Sequence, residues 1–194
     1  MLDRTVAITA ELPLRTARLL LRPYAPDDLE DLTDLMGREE VCRYLPWPPM
    51  SPEQARAKLE QRLLQTNIGP EQEAMVPAAV EAATGRFVGE FMLRARQSEP
   101  GNAEIGWSIH PDFQGRGLAT EGARELLRVG FDELGLHRIR AGADPRNIAS
   151  VRVMERLGMR REAHLVESEL IKGEWVDEVI HAVLESEWRR NLVA

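Results

Sequence analysis

The sequence predicts a mixed α/β single domain, with a mostly antiparallel central sheet that contains one parallel strand pair and is flanked by helices. Two observations support this fold. Strands and helices are predicted in the order βααβββαβαββ, so most early strands can pair as an antiparallel meander. Residues 103–143 form the single strand–helix–strand unit, which argues against a repeated doubly wound sheet. We assign residues 1–13 to an N-terminal arm and residues 14–190 to the domain.

The first half of the domain contains clear start and stop signals. Residues 17–24 predict a strand that ends at a proline, and residues 26–36 predict a helix with acidic residues in its first turn. Residues 42–50 predict a loop, because prolines interrupt this segment repeatedly. A second helix, over residues 51–67, begins with a capping box formed by Ser51 and Gln54.

The second half contains most of the predicted sheet. The segments AMVPAAVEAA and RFVGEFML predict two strands joined by a turn at Thr84–Gly85. Residues 103–110 alternate between two faces. The apolar face carries Ile105, Trp107 and Ile109. An amphipathic helix is predicted over residues 115–134, followed by the strand HRIRAGA, the helix NIASVRVMERLG and a final hairpin whose internal strand spans residues 175–185.

Composition and charge narrow the function classes. The apolar fraction is 43%, the charged fraction is 29% and the net charge is −7, which argues against a nucleic-acid binder. No apolar run approaches the roughly 18 residues of a membrane helix, and no secretory signal is apparent, so we expect no membrane partner. The single cysteine, Cys42, favours a cytoplasmic location, and its neighbours offer no general base for a nucleophilic role.

The charge is also unevenly distributed. Residues 112–161 contain 10 arginines and 7 acidic residues, whereas the remainder of the chain contains 15 basic and 25 acidic residues. A basic segment suits an anion and an acidic remainder suits a cation, although solvated faces alone also produce such a distribution.

The stretch HPDFQGRGLATEG, residues 110–122, places two glycines and an arginine at a helix start. The first N–H groups of a helix have no intrahelical acceptor, and together with the helix dipole they attract an anion. Gly115 and Gly117 let an oxygen-rich group approach the backbone, and Arg116 adds charge. The pattern favours a phosphate or diphosphate site, and a tight turn without a ligand stays possible. No P-loop string is present, and a dinucleotide fingerprint fails at Thr120, where it requires glycine.

The residues Gln114-Gly115-Arg116-Gly117-Leu118-Ala119 resemble the acetyl-CoA motif of the GNAT superfamily of N-acetyltransferases. The resemblance extends over about residues 14–188, and its two ends are similar to the branch that includes the RimJ and RimL ribosomal-protein alanine acetyltransferases. It implies that acetyl-CoA lies between two parallel strands that splay apart, here 103–109 and 138–143. It also implies the residues that contact acetyl-CoA: Trp107, Ile109, Gln114, Gly115, Arg116, Gly117, Leu118, Ala119, Thr120, Asn147 and Ser150. Asn147 is equally suited to be a helix N-cap.

The resemblance implies direct attack of a primary amine on the thioester, with a protein N-terminal α-amine favoured over a small amine. Glu104 is the first candidate for the general base, with Glu90 weaker, and a paired strand glutamate is the alternative. Many members of the superfamily supply a tyrosine acid where this sequence has Met154. Ser150 is then the remaining donor to the thiolate.

We expect Tyr44 and Trp47 in the proline-rich loop to contact the amine, with Trp175 and His181 as further wall residues, although packed aromatics are the common alternative. His110, His137 and His164 lack metal-ligand spacing, so no metal is expected. The protein is expected to be a monomer or a homodimer. A non-catalytic acyl-CoA-binding module remains the competing hypothesis, because the usual tyrosine is absent.

Overall fold

The computed structural model describes residues 10–69, 72–95 and 98–193. The helices are α1 (Leu29–Gly37), α2 (Glu39–Cys42), α3 (Pro52–Leu64), α4 (Leu118–Arg128), α5 (Ile148–Arg156) and α6 (Glu185–Val193). The strands are β1 (Ala10–Glu11), β2 (Leu14–Arg15), β3 (Leu19–Arg22), β4 (Asn67–Ile68), β5 (Ala74–Met75), β6 (Ala78–Glu81), β7 (Phe87–Ala95), β8 (Asn102–Ile109), β9 (Arg138–Ala143), β10 (Arg160–Ile171) and β11 (Glu174–Leu184).

The main sheet has the strand order β10-β11-β9-β8-β7-β6-β3-β2, with β5 paired to β7. Of its pairings, β8 with β9 is parallel and the others are antiparallel. The predicted mixed fold, with one parallel pair inside a mostly antiparallel sheet, is therefore confirmed. The order also places β11 between β9 and β10, as predicted for an internal strand.

The predicted N-terminal arm lies mostly outside the described residues. Within its described part, Ala10 and Glu11 pair with β4, and Ala10 is buried in the core. The boundary at residue 14 stays a prediction.

Several predicted elements differ from the structure at their ends. The helix predicted over residues 115–134 begins at Leu118, because Gly115 and Gly117 have φ angles of +72° and +78°, which a right-handed helix excludes. Its last turn, Val129–Glu133, is π-helical. The capping box is confirmed: Gln54 N–H donates to Ser51 Oγ, and Ser51 N–H donates to Gln54 Oε1.

The two faces of the sheet have different partners. One face carries Ile105 and Ile109, which pack in the main core with α4 residues such as Leu126. On the other face, α1 and α3 cover the sheet at the β6 end, in a cluster that includes Leu35, Leu59 and Phe87. The polar face of β8 and β9 therefore stays available for a site.

Candidate active site

The parallel pair β8–β9 opens after three residue pairs. Pairing ends at Glu104–Arg140, whereas the strands continue to Ile109 and Ala143. His110 N–H donates to the Val88 carbonyl on the β7 side. Because main-chain groups alternate in direction along a strand, those of residues 105, 107 and 109 turn toward β9 and the opening. This places the N–H of Trp107, one of the residues predicted to contact acetyl-CoA, in the gap between the strands.

A cavity of about 450 Å³ lies at the end of β8 beside the glycine turn. Its wall includes most residues predicted to contact acetyl-CoA: Trp107, Ile109, Gln114, Gly115, Gly117, Leu118, Ala119, Thr120, Asn147 and Ser150. We call it the turn cavity. Arg152 and Arg156 from α5 add positive charge to it, and Glu40 is the acidic residue of its wall.

The turn cavity fits an oxyanion at the start of α4. A Cβ on Gly115 would meet no atom within 4 Å, so the backbone there is open to approach. The first N–H groups of α4 lack intrahelical acceptors. The Thr120 hydroxyl is buried and has no hydrogen-bond partner among the residues that the structure describes, although Thr120 borders the cavity. An acceptor-rich group such as a diphosphate would satisfy these donors.

The glycine turn is held in place from outside. Gln114 Nε2 donates to the Ile109 carbonyl at 3.0 Å, and Arg116 Nη2 donates to Glu81 Oε1 at 2.6 Å. The Arg116 guanidinium also lies 5.3 Å from the centre of the Phe113 ring. The side chain of Arg116 is thereby directed to Glu81, and Arg116 does not border the turn cavity.

A second cavity, of about 400 Å³, lies on the polar face of the sheet, and we call it the acidic cavity. The acidic residues in its wall are Glu90, Glu104, Asp144, Glu169, Asp177 and Glu178, against the basic residues Arg62 and Arg94. The two cavities share Tyr44, Leu45, Trp107, Ser108, Asn147 and Ser150. They therefore meet where β8 and β9 splay apart.

The two predicted base candidates are both engaged with arginines. Glu104 lies 3.2 Å from Arg140 Nη2. Glu90 is buried and accepts two hydrogen bonds of 2.9 Å from Arg62 and one of 3.1 Å from Tyr24. Burial, and then the nearby Glu90 carboxylate, hold the pKa of Tyr24 well above its ordinary value. Glu90 is thus part of a buried ion pair with Arg62.

Asn147 and Ser150 border both cavities at the start of α5. Asn147 Oδ1 accepts a hydrogen bond from Ser150 N–H at 3.2 Å, so the N-cap role holds. The Ser150 side chain is half-buried at the junction of the cavities. Met154, at the position of the usual tyrosine, is fully buried in the core and borders neither cavity.

The proline-rich loop forms part of the wall of the acidic cavity. Tyr44 and Trp47 both border it, and Trp47 Nε1 is buried without a hydrogen-bond partner in the described part of the chain. The tip of the β10–β11 hairpin holds this loop, because Lys172 Nζ donates to the Cys42 and Arg43 carbonyls at 2.8 and 2.9 Å.

The other two candidate wall residues lie elsewhere. Trp175 is 58% exposed and His181 is buried, and neither borders either cavity. Burial lowers the pKa of His181, which favours the neutral imidazole.

Sequence reasoning missed three acidic residues of the C-terminal hairpin: Glu169, Asp177 and Glu178. The sequence offers little indication that these residues belong to the site, because acidic residues that alternate along a strand ordinarily face solvent. Burial, and then Glu169, raise the pKa of Glu178, whereas Asp177 is tied to Glu167 N–H and His164, which lower its pKa.

Other candidate chemistry finds little support in the described part of the chain. There, no group of three or more His, Cys, Asp or Glu side chains is placed to hold a metal ion. The Cys42 thiol is buried, burial raises its pKa, and it donates to the Met36 carbonyl. None of the helices within residues 10–69, 72–95 and 98–193 is long and apolar enough to span a membrane.

Comparison with known proteins identifies similar chains. A family model described as an acetyltransferase (GNAT) domain matches residues 18–160. The uncharacterized N-acetyltransferase YnaD of Bacillus subtilis is 33% identical over 175 residues, covering 90% of this chain and 98% of YnaD. The [ribosomal protein uS5]-alanine N-acetyltransferase of Escherichia coli is 33% identical over 84 residues, or 43% of each chain.

A crystal structure of a GNAT-family acetyltransferase from Bacillus anthracis superposes with a TM-score of 0.81 at 29% identity. The match covers 91% of this chain and 100% of that one.

Proposed function

The chain belongs to the GNAT family of N-acetyltransferases, and we propose that it transfers the acetyl group of acetyl-CoA to the α-amine of a protein N-terminus. A small cationic amine is the second candidate acceptor. The observation that carries the proposal is the splay of β8 and β9, which joins a cavity bordered by main-chain donors to a cavity bordered by carboxylates. A cytoplasmic location belongs to the same proposal.

The residues of the turn cavity suit acetyl-CoA. Acetyl-CoA supplies a thioester whose carbonyl carbon is open to attack by an amine. We propose that the N–H groups of residues 115–120 and the Thr120 hydroxyl bind its diphosphate, and that Trp107 N–H donates to the thioester carbonyl, an oxyanion-type contribution. Asn147 and Ser150 border the path between the cavities. The Ser150 hydroxyl is the proposed donor to the departing sulfur, because Met154 offers no proton.

The acidic cavity suits an ammonium group. An α-amine has a pKa of about 8 against about 10.4 for a lysine side chain, so less free energy is needed to deprotonate it near neutral pH. We propose that a carboxylate of this cavity accepts the proton and that Glu104 contributes to the negative potential there. Tyr44 and Trp47 would cover the acceptor.

The α-amine is favoured by likeness to the relative named for the alanine of ribosomal protein uS5. The test is a panel of peptides with the N-terminal sequences of ribosomal proteins, beside small diamines and polyamines, with thiol release and product mass as readouts. We expect a peptide with a free N-terminal alanine to be acetylated once, at its α-amine. The same peptide with a blocked N-terminus is the matched control and should release no thiol.

Two results would contradict the proposal. Calorimetry that detects no CoA binding would remove the role assigned to the turn cavity. Acetylation of small amines with no peptide turnover would replace the α-amine by the second candidate.

A further inference from the structure

The Glu178 carboxylate lies directly over the backbone of β9. Its Oε1 atom is 2.2 Å from the position that a Cβ on Gly142 would take. Ile180 pairs with Gly142, and residues two apart on a strand share a face, so Glu178 and Gly142 both belong to the polar face. The carboxylate therefore occupies space in the acidic cavity that exists only because residue 142 is glycine.

The strand register places this carboxylate near the opening. Glu104 on β8 pairs with Arg140 on the parallel strand β9. Two residues farther along each strand, Gly106 on β8 is therefore level with Gly142 on β9. Both glycines lack side chains, which leaves the gap open between the Glu178 carboxylate and β8. Trp107, whose N–H turns into that gap, follows Gly106 by one residue, or roughly 3.3 Å along the strand.

The charges facing Glu178 distinguish it from the other carboxylates. Burial is the largest cause that raises the pKa of Glu178. The nearby Glu169 on β10 and Glu104 on β8 raise it further, whereas Arg140 on β9 lowers it. Asp144, at the end of β9, is paired with Arg146. Glu104 is held by Arg140, but no protein hydrogen bond holds the Glu178 carboxylate within the described residues. A carboxylate with a raised pKa that lacks such a partner is well suited to general-base catalysis.

We propose that Glu178 is the residue that accepts the proton of the acceptor ammonium, a role that rests on the proposed acetyl transfer. An N–H bond of the ammonium breaks and the proton moves to Glu178. The freed lone pair forms the C–N bond with the thioester carbonyl carbon, and the C–S bond breaks. A second N–H proton passes through the Ser150 hydroxyl to the departing thiolate, which yields the amide and the thiol, and Glu178 returns its proton to water.

The test compares Glu178→Gln with Glu169→Gln in the full chain, using the peptide or amine that turns over fastest in the acceptor panel. For Glu178→Gln we expect kcat/KM to fall about 100-fold or more, and its decline at acidic pH to disappear. Glu169→Gln removes a charge from the same cavity wall and should cost less than about fivefold. Because Glu169 raises the pKa of Glu178, its removal should move the acidic decline of kcat/KM to lower pH.

A second variant keeps the carboxylate but displaces it. Gly142→Ala puts a Cβ where Oε1 lies, so we expect kcat to fall about tenfold while acetyl-CoA affinity, measured by calorimetry, stays at the wild-type value. Binding of acetyl-CoA in calorimetry also shows whether the Glu178→Gln variant has folded. If it has not folded, the kinetics of Gly142→Ala test the proposal instead.

Some results would overturn the inference. One is wild-type turnover with an unchanged acidic decline in Glu178→Gln, and another is loss of that decline in Glu104→Gln instead. Either result leaves the proposed acetyl transfer intact. A wild-type enzyme that acetylates nothing in the panel overturns the proposed function, and the role of Glu178 with it.

Discussion

The turn cavity and the acidic cavity meet at one opening in the sheet but are built from different materials. The turn cavity depends on main-chain donors at the start of α4, presented by one continuous segment, residues 114–120. The acidic cavity is formed by acidic and basic side chains from the β7, β8, β9, β10 and β11 region, with a loop as its cover. Main-chain recognition tolerates most side-chain changes, whereas a cluster of like charges depends on each neighbour.

The largest expected effect is on the stability of the acidic side. Arg62→Met would leave the buried Glu90 carboxylate without its cation, and removing one partner of a buried pair costs about 3 kcal/mol or more in the free energy of unfolding. Urea denaturation followed by circular dichroism measures the loss. The double variant Arg62→Met with Glu90→Met should recover more than half of it. A single variant within about 1 kcal/mol of wild type would show that the pair is not an energetic unit.

A smaller effect is expected at the glycine turn. Gly115→Val places a branched side chain at φ +72°, which costs about 1–2 kcal/mol, and directs it into open space where the diphosphate is proposed to bind. We expect acetyl-CoA affinity to fall at least tenfold in calorimetry. Gly85→Val is the matched control, since Gly85 has φ +71° and nothing within 4 Å of its Cβ position. It should lose similar stability and keep wild-type affinity, and equal losses of affinity would contradict a binding role for Gly115.

The third prediction concerns the unpartnered hydroxyl of the turn cavity. Thr120→Val keeps the shape of the side chain and removes a buried polar atom that has no partner. We expect unchanged or slightly higher stability of the free protein, together with an acetyl-CoA dissociation constant raised about tenfold, as for a hydrogen bond to a charged group. The acceptor KM should not change. Wild-type acetyl-CoA affinity in this variant would show that Thr120 does not contact the diphosphate.

The smallest effect is expected at Trp47 in the acidic cavity, whose buried Nε1 is the counterpart of the Thr120 hydroxyl in the turn cavity. Trp47→Phe removes the buried Nε1 donor and keeps a ring beneath Lys58, whose Nζ lies 4.3 Å from the ring centre of Trp47. We expect the acceptor KM to rise about fivefold, as for one neutral hydrogen bond, with acetyl-CoA affinity unchanged. Steady-state kinetics with the best acceptor measures this change. If Trp47→Phe instead weakens acetyl-CoA binding, the division between the two cavities is incorrect.

The same contrast explains what the sequence could predict. The β8–turn–α4 unit and the capping box of α3 depend on neighbouring residues, and the fold prediction built on them is confirmed. Tyr44 and Trp47, predicted to contact the amine, both border the acidic cavity. The predicted start of α4 differs from the structure, because the positive φ angles of Gly115 and Gly117 delay the start of the helix.

Side chains whose partners are distant in the chain could not be predicted in this way. Arg116 was expected to face an anion, and in this structure its side chain contacts Glu81, 35 residues earlier. Glu178 joins the site only through the registers of β11 with β9 and of β9 with β8. No local pattern encodes those registers, because they depend on how separate strands pack in the finished sheet.

The contact of Lys172 with the Cys42 and Arg43 carbonyls has a consequence for protein engineering. The Lys172 ammonium group joins the hairpin tip to a loop some 130 residues away, and both segments border the acidic cavity. A chimera that exchanges only the hairpin with a relative would lose this link and alter the pocket on both sides. Transplanting acceptor preference therefore requires moving the two segments as a pair.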